Sequence, residues 1–269
     1  MNYSFQRILV PVDGSPQSIV AFKAALVYAK AYNAKLNAVH IAEKDVSEST
    51  VHKQLDSLSN GMEYTYLHRT GSVHKEIILA SKETDTDLIV MGTHGITGFQ
   101  EFWMGSNAYK VVTQATCPVL TMKEESGINS FKKIVLPIDT SFESRQKVPA
   151  AISVAKRFGS IVHVFGVSGD KDKDAEYKIN SYVRQASTAI QESGIETVID
   201  KNLGGNITDS TMNYSKEIGA DLIIIMTEQE LQMGSFFLGK YAQQMVNHSP
   251  IPVLSVPPRD DLMTSEARI

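Results

Sequence analysis

Glycines and small polar residues follow an apolar run of the sequence at a spacing typical of phosphate binding. Met91 ends that run, Gly92 and Gly95 follow it, and Gly105-Ser106-Asn107 comes nine residues later. Glycines at a strand-to-helix junction let the backbone approach a phosphate, and the next helix adds N–H donors and partial positive charge. Ser106 and Asn107 can add hydrogen bonds from their side chains. The pattern predicts the phosphate side of a nucleotide site.

A second polar segment, Val12-Asp13-Gly14-Ser15, follows the first apolar run of the chain. In open parallel sheets, ligands bind beyond the carboxyl ends of the strands, where the strand order reverses. A carboxylate at that edge can accept hydrogen bonds from ribose hydroxyls or from an adenine amino group. Asp13 could instead only tie down the turn before the first helix, where Ser15 competes with it as the cap.

The sequence contains this pattern twice. The segment Ile8-Leu-Val-Pro-Val-Asp-Gly-Ser15 returns as Ile134-Val-Leu-Pro-Ile-Asp-Thr-Ser141, and Asp87-Leu-Ile-Val-Met91 returns as Asp221-Leu-Ile-Ile-Ile225. Internal repetition of this kind indicates two copies of one structural unit. We therefore predict two homologous domains, at 1–125 and 130–258.

The C-terminal ends of the two copies support two further predictions, a polar tail and a pairing of strands. A polar tail follows the second copy at 259–269. The closing segments 118–122 and 252–256 are predicted to be edge strands that pair with one another, which would protect both edges.

Short apolar runs alternate with amphipathic segments in both copies. Leu88-Ile-Val-Met91 is apolar throughout, which predicts a strand covered on both faces. This alternation predicts an α/β fold of two tandem doubly wound domains, each a five-stranded parallel sheet with helices on both faces. In the first copy, we predict strands at 7–12, 35–42, 63–68, 87–91 and 118–122, and helices at 16–32, 46–60, 73–83 and 106–115. In the second copy, we predict strands at 133–138, 160–165, 195–200, 221–225 and 252–256, with a longer helix across 171–193.

Composition and charge exclude several classes of protein. A net charge of -4 over 269 residues argues against a nucleic-acid binder. No apolar run approaches the roughly 20 residues that span a bilayer, and the N-terminus lacks the layout of a signal peptide. A single cysteine excludes an intrachain disulfide, which suits a reducing compartment. We expect a cytoplasmic protein with no nucleic-acid or membrane partner.

Taken together, these motifs resemble those of the universal stress protein family. Gly92-x2-Gly95-x9-Gly105-Ser106 looks like the ATP-binding signature of that family. The opening Ile-Leu-Val-Pro-Val-Asp-Gly-Ser strand and the closing Pro-Val-Leu strand are also hallmarks of it. The resemblance covers the whole chain, twice over, and implies the Rossmann-like fold of the adenine nucleotide alpha hydrolases. It also implies ATP or a related adenine nucleotide as the ligand, with Mg²⁺ in some members.

The resemblance further implies a role for each residue of the site. Around the adenine and ribose, the expected residues are Pro11, Val12 and Asp13, with backbone contacts to the base from Ile41. Around the ribose and phosphates, they are Met91, Gly92, His94 and Gly95. Around the phosphate tail, they are Gly105, Ser106 and Asn107. From the residues alone, His94 could equally be an exposed histidine without a ligand, and the glycines could serve tight turns.

The second copy departs from the signature. Its residues at the positions of Gly92, His94 and Gly95 are Met226, Glu228 and Gln229. Two glycines needed for close approach are lost, and the added carboxylate would repel a phosphate. We therefore expect nucleotide binding in the first copy only.

One further motif is a decoy. The segment Gly234–Tyr241 nearly spells a P-loop, but Tyr241 stands where a serine or threonine must bind magnesium. The polar residues before it, 228–232, are not predicted to form a strand. We therefore do not expect a P-loop here.

The function expected from these observations is that of a nucleotide-dependent binding module in the stress response. A nucleotide in the first copy would set the conformation of the loop at 92–105, and with it the surface presented to unknown protein partners. Two alternatives are a slow ATPase and a structural dimerisation protein with a vestigial site. An ATPase is less favoured because the signature contains no Lys or Arg to neutralise charge on the phosphates. A monomer and a homodimer are both compatible with the sequence.

Overall fold

The computed structural model describes residues 3–42, 48–93, 105–123, 131–227, 229–232 and 235–258. In the first repeat, strands alternate with helices, as predicted. Its elements are β1 (Arg7–Pro11), α1 (Pro16–Tyr32), β2 (Lys35–Ala42), α2 (Glu48–Ser59), β3 (Thr65–Thr70), α3 (Val73–Glu83), β4 (Leu88–Gly92), α4 (Ser106–Gln114) and β5 (Val119–Met122).

The five strands form a parallel sheet in the order β3-β2-β1-β4-β5. The chain moves outward from β1 through β2 to β3, and then returns to the other side of β1 through β4. The strand order therefore reverses between β1 and β4. Right-handed crossovers in the two directions place helices on opposite faces, with α1 against α2 and α3 against α4.

The core of this repeat lies on both sides of the central strands. Leu88, Ile89 and Val90 of β4 are fully buried, which confirms the strand predicted from their continuous apolar run. Phe22 and Tyr28 of α1 are also fully buried, because this helix packs against β1 and β4. The sheet is thus fixed from both faces, as a parallel sheet requires.

The second repeat has the same order of elements with two additions, a short 3₁₀ helix and a hairpin. Its elements are β6 (Lys133–Ile138), the 3₁₀ helix (Glu143–Arg145), α5 (Val148–Phe158), β7 (Ile161–Ser168), α6 (Lys173–Glu192), β8 (Thr197–Leu203), α7 (Ile207–Glu217), β9 (Leu222–Met226), β10 (Gln229–Gln232), β11 (Ser235–Leu238), α8 (Lys240–His248) and β12 (Val253–Val256). The strand order β8-β7-β6-β9-β12 repeats that of the first sheet.

Two features of the second repeat bear on the predictions. The long helix predicted across 171–193 is confirmed as α6, which has 20 residues. Within the described ranges, no helix combines the length and the apolar character needed to cross a membrane. The prediction that residues 228–232 do not form a strand was wrong, because β10 pairs with β11 as an antiparallel hairpin. The residues of β10 are Gln-Glu-Leu-Gln, so this strand has no apolar period to detect.

The described residues divide into two compact units. One unit contains residues 4–123 together with 246–254, and the other contains residues 131–245 and 255–258. Within the first unit, the hydroxyl of Thr121 donates to the carbonyl of Val253 at 3.2 Å. The boundaries at 1–125 and 130–258, and the pairing of the repeats through their closing strands, stay predictions. The tail at 259–269 lies outside the described residues.

Candidate nucleotide-binding site

Two strand ends meet where the order of the first sheet reverses. Beyond the end of β1, the N–H of Val12 donates to the carbonyl of Val39 on β2 at 2.9 Å. Beyond the end of β4, the N–H of Thr93 donates to the carbonyl of Met122 on β5 at 3.0 Å. The segments that carry Asp13 and Gly92 therefore leave the sheet at the same edge, which is the ligand edge of an open parallel sheet.

Asp13 organises the turn between β1 and α1. Its Oδ1 accepts from the N–H of Ser15 at 3.0 Å and from the hydroxyl of Ser15 at 2.6 Å. Gly14, between them, has a φ of +81°, a conformation that favours glycine. Ser15 is the cap of α1, because its side chain accepts from the N–H of Ser18 at 3.2 Å. Ser15, and not Asp13, is therefore the N-cap of α1.

One hydrogen bond of this turn recurs in the second repeat. There Oδ1 of Asp139 accepts from the N–H of Ser141 at 2.6 Å. The aspartate of this segment thus binds the backbone two residues later even in the repeat that lacks the glycine signature. Asp13 therefore has a structural role, and any contact with a ribose would come in addition to it.

Gly92 allows close approach between the end of β4 and the start of α1. A Cβ on Gly92 would lie 3.0 Å from the carbonyl carbon of Gln17 and 3.1 Å from its oxygen. Such contacts are shorter than van der Waals distance, and backbone atoms cannot move aside as a flexible side chain can. Packing alone therefore accounts for a glycine at this position.

The start of α4 is attached to the end of β4. The N–H of Gly105 donates to the carbonyl of Thr93 at 2.7 Å, and the helix begins at Ser106 with Gly105 as its cap. Glycine has no side chain to cap the first turn, and this turn contains no acidic residue. Its N–H groups lack intrahelical partners, and they carry the positive end of the helix dipole.

Asn107, in that first turn, interacts with a histidine that the sequence did not point to. Its side chain forms a hydrogen bond with His74 of α3, and this bond acts to raise the pKa of His74. Burial and the nearby charges of Lys110 and Lys75 have the opposite and larger effect, so the pKa of His74 is lowered. Because a lowered pKa favours the neutral ring, His74 adds little charge beside the start of α4.

Ile41 and Met91 are buried near the ends of β2 and β4. Next to Ile41, His40 is 1% exposed, and its Nδ1 lies 2.9 Å from the carbonyl of Val12. A carbonyl can only accept, so Nδ1 carries the proton. The other ring nitrogen, Nε2, is buried and has no hydrogen-bond partner among the described residues. Sequence reasoning missed His40, although a histidine inside an apolar strand was the signal.

Two of the four residues predicted around the ribose and phosphates, His94 and Gly95, lie outside the described residues. In the part of the chain that the structure describes, no group of three or more acidic, histidine or cysteine side chains could bind a metal ion. A Mg²⁺ ion bound with a nucleotide needs only one or two protein carboxylates, since phosphates and waters complete its shell. Asp13 could supply one of them.

The second repeat has no glycine at the position where Gly92 lies close to the start of α1. Its equivalent residue is Met226, which carries the Cβ that Gly92 lacks. The segment equivalent to the first turn of α1 is the 3₁₀ helix Glu143–Arg145, and the α-helix begins only at Val148. A Cβ at Met226 is incompatible with the close contact of the first repeat, and the α-helix here starts later, with Pro149 in its first turn.

Comparisons with known proteins agree with this fold. The profile of the universal stress protein family matches residues 4–65, 59–123 and 130–257. Universal stress protein YxiE of Bacillus subtilis is 30% identical over 147 residues, which cover 44% of this chain and 99% of the relative. Universal stress protein MJ0531 of Methanocaldococcus jannaschii is 28% identical over 141 residues, 45% of this chain and 83% of the relative. A universal stress protein structure from Archaeoglobus fulgidus matches with a TM-score of 0.73 at 20% identity, over 95% of this chain and 99% of that one.

The fold and the ligand edge define a tandem α/β protein of the Rossmann-like class. The chain belongs to the universal stress protein family, with one copy of the family's unit in each repeat.

Proposed function

We propose that the first repeat binds ATP or a related adenine nucleotide, and that the protein is a cytoplasmic, nucleotide-dependent binding module of the stress response. The start of α4 carries this proposal. Gly105, the N-cap, has no side chain to cap the first turn, and among the described residues no other side chain caps it and no carboxylate occupies the turn. Unsatisfied N–H groups at a helix start form a ready anion site.

The strand ends opposite α4 supply the nucleoside side of the proposed site. By the family resemblance, Val12 would line the adenine and ribose pocket and the backbone of Ile41 would contact the base; both residues lie at the strand ends, with their side chains buried. Asp13, held in its turn by Ser15, is placed to accept from a ribose hydroxyl. Membership of the universal stress protein family supports the same assignment.

We further propose that only the first repeat binds a nucleotide. Met226 occupies the position of Gly92, and Lys240 occupies that of Ser106. The displaced helix start of the second repeat changes the edge that a phosphate would approach. The loop at 92–105, most of which lies outside the described residues, is the segment whose conformation the nucleotide would control.

The decisive experiment uses Ser106→Asp, with Lys240→Asp in the second repeat as the matched control. Ser106 is exposed at the first position of α4. An aspartate there favours the helix dipole by about 0.3–1 kcal/mol, but it places negative charge where the phosphates would bind. The variant therefore separates binding from folding. ATP affinity is measured by calorimetry, and stability by urea denaturation.

We expect wild type and Lys240→Asp to bind ATP equally, and Ser106→Asp to bind at least about tenfold more weakly. The urea midpoint of Ser106→Asp should be unchanged or higher. Equal ATP affinity in Ser106→Asp and wild type would contradict a phosphate site at α4. If wild type neither retains nor binds a nucleotide, the alternative of a dimerisation protein with a vestigial site is favoured. Release of phosphate from bound ATP would favour the ATPase alternative.

A further inference from the structure

The second repeat contains a polar cleft between α7 and the strands β7 and β8. Its volume is about 320 Å³, which lies at the lower end of the range for small-molecule sites. One wall is aromatic, because the rings of Phe165 and Tyr214 stack in parallel with centroids 4.1 Å apart. The other walls are formed by side chains of β8 and α7.

The equivalent place in the first repeat is filled by an arginine. Arg69 on β3 lies opposite Ile41 in the sheet, and its guanidinium pairs with two carboxylates of α3. These are Glu76, at 3.6 Å, and Glu83. The side chain of Arg69 is only 19% exposed, so the guanidinium fills the space between β3 and α3.

The second repeat keeps one of those carboxylates and loses the arginine. Ser81-Lys82-Glu83 of α3 returns as Ser215-Lys216-Glu217 of α7, so Glu217 stands at the position of Glu83. The residue opposite Val167 in the sheet, and hence equivalent to Arg69, is Asn202. The shorter side chain leaves the cleft open beside Glu217.

The charge around the cleft has also become more negative than in the first repeat. The first repeat has two cations here, Arg69 and Lys75, for its two carboxylates. In the second repeat, Asp209 replaces Lys75, and Asp200 replaces a leucine. The cleft is therefore lined by three carboxylates in place of a balanced set.

Among the residues that the structure describes, no cation pairs with these carboxylates. Lys201 lines the cleft, but its ammonium bonds Glu176 at 2.8 Å and Asn180 at 3.1 Å, both on α6. Within the described ranges, none of Asp200, Asp209 and Glu217 forms an ion pair. The charges of Asp200 and Glu217, after burial, raise the pKa of Tyr214, as expected for an uncompensated negative field.

We propose that this cleft binds a guanidinium group, in the place that Arg69 takes in the first repeat. A guanidinium is planar, presents N–H donors that match carboxylate and amide oxygens, and stacks on aromatic faces. Glu217, Asn202 and the ring of Tyr214 supply these three kinds of contact. A lysine-type ammonium, as a compact point charge, satisfies the geometry less well. This inference is independent of nucleotide binding in the first repeat.

The test compares arginine with citrulline, which has the same shape but a neutral urea group. Both are titrated into the full-length protein by calorimetry, together with arginine blocked at both ends as a stand-in for an arginine side chain of a polypeptide. Three variants accompany the wild type. Glu217→Gln removes the shared carboxylate, Asn202→Arg supplies an internal guanidinium, and Glu192→Gln removes an exposed charge elsewhere on the same repeat.

We expect arginine to bind at least roughly tenfold more tightly than citrulline, and Glu217→Gln to weaken its binding by a similar factor. Asn202→Arg should fold normally and abolish binding, while Glu192→Gln should bind like wild type. Both sources of a guanidinium support the proposal: preference for free arginine indicates a small ligand, and preference for blocked arginine indicates a polypeptide. Equal binding of citrulline, wild-type affinity in Asn202→Arg, or no binding of arginine at roughly 10 mM would overturn it.

Discussion

Gly92 has two separate reasons to be a glycine. The family resemblance assigns it to the ribose and phosphates, whereas the structure shows that a Cβ there would meet the backbone of Gln17. Variants of Gly92 therefore change packing and nucleotide approach together. Ser106 is exposed, so its substitution leaves the core untouched.

We predict that Gly92→Ala lowers the free energy of unfolding by about 1–3 kcal/mol, as overpacking does in a well-packed site. The added Cβ would lie 3.0 Å from two atoms of Gln17. Urea denaturation measures the change, with Gly169→Ala as the control, because a Cβ there would meet its nearest atom at 3.9 Å. Equal stability of the two variants would show that β4 and α1 can move apart at little cost.

At the scale of elements, the start of the first helix distinguishes the two repeats. In the first repeat, Ser15 caps α1 directly after the turn of Asp13. In the second, Ser141 precedes a 3₁₀ helix, and the α-helix begins at Val148 without a side-chain cap. The same sequence motif therefore starts an α-helix in one repeat only.

This difference predicts unequal costs for two matched substitutions. Ser15→Ala removes an N-cap and should lower the free energy of unfolding by about 1 kcal/mol, within a range of 0.5–2. Ser141→Ala should cost less, because the hydrogen bonds recorded for Ser141 are made by its backbone. Urea denaturation of both variants tests this, and an equal or larger loss in Ser141→Ala would contradict the assignment of the cap.

Local signals explain which elements could be predicted from sequence. The bounds of α1 follow from Ser15, Pro16 and the helical spacing after them, and β4 follows from its apolar run. The start of α5 at Val148 agrees with Pro149 in its first turn, whereas the 3₁₀ helix at Glu143–Arg145 has no comparable local signal.

The same contrast applies to the site. The turn at Asp13 and the helix start at Gly105 follow from residue type and spacing. The contacts of Gly92 with Gln17 and of His40 with Val12 depend on how strands and helices approach, which no local pattern encodes. The roles of His94 and Gly95 stay predictions.

At the scale of the whole molecule, the single cysteine offers a probe of opening. Cys117 is buried, with 8% of its surface exposed. Burial, with a smaller effect from the charge of Asp87, raises the pKa of its thiol to about 12. The thiolate is the reactive form, so a buried thiol of high pKa is inert until the structure opens.

We predict that Cys117 reacts with a thiol reagent at pH 8 at least roughly a hundredfold more slowly in the native protein than in urea. The proposed nucleotide should slow the native reaction further, because a ligand that binds only the folded state reduces opening. Absorbance of the released thiolate measures both rates. Similar rates with and without urea would mean that the thiol is accessible in the folded protein.

The first compact unit includes residues 246–254, far along the chain from the rest of that unit at 4–123. During synthesis, therefore, residues 4–123 emerge from the ribosome well before residues 246–254 exist. At a translation rate of ~5–20 residues per second, the interval is roughly 7–26 s. For that time the first compact unit lacks one of its two chain segments, and it is in this interval that chaperones would meet it.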